Sequence, residues 1–224
     1  MSPVCRCVLL LSLLFLPAWG EEIGSARDVL WTDLKAEFTF EDPFEELEEE
    51  QLLDLGIIAR VQSLEKRSAS KVSDGMRKEA EEARARLLEQ KVDIDGLFAK
   101  RAEITELRKK RAQAAVKELD GVLVALPGFV LPLEYEGKRV TEFLLVPWVG
   151  ACIHTLPPPP NQIVHVIAKK PFETKGLFEA VVVTARMEVV EKTSELFLVD
   201  GTADISTSYG MSSAAVAKYE GPKK

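Results

Sequence analysis

Cys152 and His154 stand two residues apart in the stretch Pro147-Trp148-Val149-Gly150-Ala151-Cys152-Ile153-His154-Thr155-Leu156-Pro157-Pro158-Pro159-Pro160-Asn161-Gln162. On an extended backbone, residues i and i+2 share a face, so a thiol and an imidazole would lie side by side. A thiolate and a neutral imidazole suit zinc or copper. Glu142, on the preceding apolar stretch, is the oxygen donor this pair could recruit. His165 is a second candidate whose orientation the sequence does not fix. A closed four-ligand Cys/His site is out of reach for one chain, which holds 3 cysteines, two of them in the first ten residues, and 2 histidines. An open, exchangeable site or one completed by a partner fits better. A Cys-x-His pair has little specificity by itself, and before context is added a buried structural cysteine and a hydrogen-bonded histidine are the stronger reading.

The competing chemistry is a reactive thiol, with His154 lowering the pKa of Cys152. Nothing supports it further. No Cys-x-x-Cys partner, phosphate-binding glycine loop, His-Glu helix motif or serine nucleophile elbow is present. The expectation is a protein that is not an enzyme.

Four prolines, Pro157, Pro158, Pro159 and Pro160, follow the Cys-x-His pair. Each has φ fixed near −65° and lacks a backbone N–H, so the segment cannot enter a helix or a central strand. Lying between two apolar runs, it reads as a stiff loop that fixes the rim of the site, with polyproline recognition by an aromatic groove as the alternative. Asn161 and Gln162 complete this rim and are expected to hydrogen-bond back to the proline carbonyls.

The elements that must position these residues begin after a leader. Arg6, the apolar run Val8 to Leu16 and the small residues of Ala18-Trp19-Gly20 read as a signal peptide over 1–20, too short in its apolar part to span a bilayer, with an uncleaved membrane anchor as the lesser alternative. Cleavage near Gly20 gives an exported, periplasmic chain and removes Cys5 and Cys7. Cys152 then remains unpaired within the chain, free for an interchain disulfide. Residues 21–44 hold an anchor at Trp31 and Leu34. From 45 to 116, apolar residues recur at intervals of three and four (Leu52, Leu55, Ile58; Met76, Ala80, Ala83, Leu87; Leu97, Ile104, Leu107), predicting a helical hairpin or small bundle. This arm reads as a partner-binding projection or as a self-packed layer.

At Leu119-Asp120-Gly121 the pattern changes to short β-type runs: Val122 to Leu133, Val140 to Val146, Ile163 to Ala168, Ala180 to Val190, and Leu196 towards Ile205. Five such runs in 117–219 predict an α+β protein whose second part is a small five-stranded antiparallel barrel, similar to the oligonucleotide/oligosaccharide-binding (OB) type, with a small sandwich as the alternative. Gly128 is expected to bend the first strand at a barrel corner. Tyr209 to Tyr219 reads as a short closing helix and 220–224 as a tail. Charge is uneven, with 2 basic and 13 acidic residues in 21–59 and 16 basic and 12 acidic in 60–120. The β region is close to neutral and the chain carries −7 overall, which disfavours nucleic acid as a partner.

Three stretches, Leu126-Pro127-Gly128-Phe129-Val130-Leu131-Pro132-Leu133-Glu134, Glu142 to His154 and Pro157 to Val164, carry a longer pattern. Over 119–219 it resembles an exported bacterial family classed as a domain of unknown function. The resemblance implies association with ABC transporter components and metal-responsive periplasmic proteins. With it, the expected function is an exported accessory protein that binds or hands on a transition metal, zinc or copper, through Cys152, His154 and Glu142, working with a membrane ABC transporter component. The alternative is a non-catalytic adaptor in which Cys152 is structural.

Overall fold

In the computed structural model, the structure describes residues 25–151, 157–198 and 201–221, the side chains of Ala69, Phe197 and Leu198 excepted. The chain first lays down β1 (Arg27–Asp28) and a 3-10 turn, Trp31–Leu34. Three helices follow: α1 (Glu49–Arg67), α2 (Asp74–Glu89) and α3 (Ile94–Gln113). The strands β2 (Leu123–Glu136), β3 (Arg139–Val146), β4 (Val164–Phe172), β5 (Ala180–Leu198) and β6 (Gly201–Lys218) complete the fold.

The helices start where their sequences supply caps. The Ser73 side chain accepts from Met76 N, and that of Asp93 from Gly96 N, each satisfying a donor the helix cannot. Glu48 and Gln51 form a reciprocal box at α1. Their apolar stripes meet in one cluster of Leu55, Ile58, Ala83, Leu87, Ile94 and Leu97. The polar flank carries a two-pronged pair in which Arg86 donates to Asp54 at 3.0 and 2.6 Å. The helical segment is thus a self-packed layer. No helix among the described residues is long and apolar enough to cross a membrane.

The strands correct the expected antiparallel OB-like barrel. The sheet is mixed and has six strands, in the order β1-β2-β3-β4-β6-β5, and a β2–β5 pairing closes it into a ring. Neighbours β4 and β6 run parallel, with Val164 opposite Tyr209, and β1 runs parallel to β2. Periodicity marks where a strand is but not which way its neighbour runs. The β4–β6 pair joins strands separated by β5, so no turn signal announces it.

One further expectation falls. The stretch 209–219 is not a helix but most of β6, paired with β5 from Val181↔Lys218 onward. Its alanines favour helix in isolation, and the strand ladder overrides them. Gly128 keeps its place in the ladder, paired with Val181, next to the point where β2 passes from pairing with β5 to pairing with β3. A Cβ there would lie 2.8 Å from Leu145 Cγ and 3.0 Å from Trp31 Cζ2, so the glycine makes room for these side chains.

Alternation gives the ring two apolar faces. Val124, Leu126, Val130, Phe143, Leu145, Val164, Val166 and Val183 fill the inside. Leu131, Leu144, Val146 and Ile163 point outward and are covered by Leu196 and Ile205 from the far half of the β5–β6 hairpin, together with Ala151. The hairpin is far longer than the ring needs, and its register shifts between Val189 and Lys192, where the covering half begins.

Candidate functional site

Glu142, Leu144 and Val146 share the outward face of β3, and Ile163 and His165 that of the neighbouring segment, with Leu144 paired to His165. This brings Glu142 against His165: Oε1 to Nε2 is 2.5 Å. His165 is 2% exposed. Across the groove the β5–β6 hairpin supplies Lys192, whose Nζ stands 3.0 Å from Nε2, 3.1 Å from Nδ1 and 3.7 Å from Glu142 Oε1. Equal reach to both ring nitrogens is impossible in the ring plane without striking the carbon between them. The ammonium therefore lies over the ring face, and the Nε2–H donates to the carboxylate.

Burial lowers the pKa of His165 below the ordinary histidine value, an effect that the Glu142 hydrogen bond opposes and the Lys192 charge reinforces. The neutral ring is the form that binds metals. A carboxylate that fixes one ring nitrogen of a histidine is also the usual support of a metal-binding imidazole. Against that, the cluster already holds a cation, the ammonium of Lys192. Among the described residues no group of three or more His, Cys, Asp and Glu side chains is placed to hold an ion.

Of the residues singled out in the sequence, Cys152 and His154 lie outside the described residues. Glu142 is brought to His165. Ala151, which directly precedes Cys152, is fully buried in the outward cluster with Leu144 and Ile163. Leu144 and Ile163 are each two residues along the chain from Glu142 and His165, one side-chain repeat on a strand. Beside Ala151, Trp148 and Val149 are exposed at 43% and 61%. Lys192 was missed, and its setting, Glu191-Lys192-Thr193, carries no signal beyond an ordinary exposed strand.

The proline loop meets the expectation in part. Pro159 is extended, with φ −61° and ψ 153°, and Pro160 starts a 3-10 turn, Pro160–Gln162. The backbone of Gln162 donates to Pro159 O at 2.7 Å, but the side chains reach elsewhere. Asn161 Nδ2 donates to Arg111 O at 3.1 Å and Ala114 O at 2.9 Å, satisfying carbonyls at the end of α3, while Gln162 Nε2 donates to Trp31 O at 2.8 Å. Ser208 Oγ adds a bond to Gln113 O. Pro159 and Asn161 also line a cleft of about 390 Å³ with Lys35, Phe38, Arg108 and Arg111. Both arginines are committed, Arg108 to Asp42 and Arg111 to Glu45.

Fold and cluster together define an α+β protein in which a helical layer abuts a strand ring that carries a carboxylate–imidazole pair on its outer face. Residues 31–218 match the family described as protein of unknown function DUF3299, and the chain belongs to that family. The matched span runs through the helical segment as well as the ring, and so is wider than the 119–219 over which the motifs resemble it. Among solved structures the chain is similar to a DUF3299 family protein from Pseudomonas aeruginosa PAO1, with 26% identity and a TM-score of 0.50 over 89% of this chain and 100% of that chain. No curated protein matches the sequence.

Proposed function

We propose that this protein is an exported accessory protein that binds a transition metal ion, zinc or copper, through Cys152 and His154, and that it serves a membrane transporter. The observation that carries the reading is the Glu142–His165 pair. It holds a neutral imidazole on the same outward face into which Ala151, the neighbour of Cys152, is packed. Carboxylate and imidazole thereby share the face against which Ala151 is packed, and Ala151 directly precedes Cys152 in the sequence. Glu142 enters first as the group that orients His165, and only secondarily as a ligand.

The test is a titration of the full, metal-free chain with zinc and with cuprous ion under reducing conditions. The wild type is expected to bind one ion, with affinity falling as the pH drops and protons compete for thiolate and imidazole. Equal binding by wild type and Cys152→Ala/His154→Ala would remove the assignment.

A second reading, a non-catalytic adaptor, is favoured by the exposed leucines of the helical layer. Leu52 and Leu53 are 41% and 62% exposed at the start of α1, and Leu88 is 59% exposed at the end of α2. A Gln51–Gln90 hydrogen bond of 2.8 Å brings these two ends together. Capture of partners from detergent-solubilised membranes by the wild type and by Leu52→Ser/Leu53→Ser/Leu88→Ser separates the readings. Identical capture by both would end the adaptor role of this surface.

A further inference from the structure

We infer that the cleft between α3 and the proline loop is a binding site for an amphipathic carboxylate, a single negative charge on an apolar body. The inference does not rest on the metal-binding reading above. Three cations, Lys35, Arg108 and Arg111, share the cleft with the apolar walls of Phe38, Ala112 and Pro159, and none of the described residues lining it is acidic. The walls come from three separate segments: the chain after the Trp31–Leu34 turn, the last turns of α3, and the proline loop. Its volume of about 390 Å³ falls in the range of small-ligand pockets and, at roughly 30 Å³ per water-sized group, has room for about a dozen non-hydrogen atoms.

Charge decides the sign of the ligand. Both guanidinium groups already have counter-charges, Arg108 in Asp42 through Nε and Nη2, and Arg111 in Glu45 through Nη2. Their side chains nonetheless stay 47% and 43% exposed, and neither Nη1 makes a hydrogen bond among the described residues. The Phe40 ring lies 4.9 Å from Arg111 Cζ and holds that guanidinium in place before any ligand arrives. Lys35 is exposed and has no ion pair among the described residues. The carboxylates nearest to it in the chain, Asp33 and Glu37, line the neighbouring cleft that shares Lys35 with this one. The surplus in the cleft is thus one positive charge, with guanidinium N–H groups left over to donate to a carboxylate. A monocarboxylate matches that surplus, and its apolar body covers Phe38, Ala112 and Pro159.

The experiment is calorimetric titration of the full chain with decanoate, decan-1-ol, decylammonium and acetate. Decanoate is expected to bind more tightly than the alcohol or the ammonium of the same chain length, and acetate not at all. Lys35→Gln, at an exposed residue without an ion pair, should weaken decanoate by roughly two- to fivefold, the range of an exposed ion pair, and leave decan-1-ol unchanged. Ala112→Leu should weaken decanoate and decan-1-ol alike by about tenfold, since its branch takes the place of about two buried methylenes of the ligand. Circular dichroism checks the fold of both variants, and Lys35→Gln decides the outcome should Ala112→Leu fail to fold. Decanoate binding that Lys35→Gln leaves unaltered, or that decan-1-ol or decylammonium equals, overturns the site. Absence of decanoate binding overturns it as well.

Discussion

At His165 desolvation and hydrogen bonding pull in opposite directions, and burial wins: the ring is held neutral although a carboxylate touches it. The folded-state pKa lies below the unfolded value of 6.5, so on acidification the unfolded chain takes up the proton first. The stability contributed by the neutral ring is complete above 6.5 and is lost as the pH falls from there towards the folded pKa. Urea unfolding of the metal-free protein between about pH 7.5 and about pH 5 is expected to show this loss, and His165→Gln should flatten that part of the profile. Tyr209 is the other residue whose removal should be felt. Its buried hydroxyl donates to Leu34 O at 2.7 Å and accepts from Val116 N at 2.6 Å, joining three distant segments. Tyr209→Phe leaves both backbone groups unpaired and should cost about 1–3 kcal/mol in denaturant unfolding.

At the scale of elements, α3 ends on the ring rather than in solvent. Its last carbonyls are satisfied by Asn161 and Ser208, which belong to the proline loop and to β6. Asn161→Ala removes two of these bonds. It is expected to lower stability by about 1–3 kcal/mol and to speed amide exchange in the segment around Arg111 to Val116 relative to α1. The prolines contribute through stiffness. Replacing Pro157 to Pro160 by Gly-Ser-Gly-Ser should lower stability by roughly 0.4–1 kcal/mol per position at those prolines whose conformation is strain-free. It should also weaken the metal binding proposed for Cys152 and His154, since the added freedom must be lost again. Melting and metal affinity are to be measured on the same variant. Much of this layer was legible in the sequence. The 3.6-residue stripes of α1 to α3 and the alternation in β2, β3 and β4 survive because each element buries one face. The β5–β6 hairpin was misdivided, with a break placed between Val190 and Leu196. Its register shift at Val189 interrupts the alternation, and the Ser-Ala run of 212–217 has helical propensity that only the ladder overrules. The site was half legible: Glu142 and His165 could be named from their types, but their contact depends on the register of β3 against β4, and Lys192 on a pairing across the hairpin.

For the whole molecule, the helical layer and the ring share their ties. Arg108 of α3 holds the buried carboxylate of Asp42 at 2.6 and 3.0 Å, and this keeps the Asp42 pKa below the usual carboxylate value. Deleting 45–116 would strip Asp42 of its counter-charge and leave Asn161 and Ser208 without acceptors, so the remainder should melt well below the intact chain in a thermal scan. The parallel β4–β6 pair has a consequence in time. The ring cannot close, nor can Tyr209 grip Leu34 across 175 positions of sequence, until β6 has been made. A chain emerging from the ribosome must hold its earlier strands open almost to the end of synthesis, with their edges unpaired and accessible to chaperones. Under the export proposed above, the chain would be threaded through a membrane before it folds, and such lateness is then an asset. Nascent chains stalled before Gly201 should therefore be digested rapidly by protease, whereas chains released with β6 in place should resist.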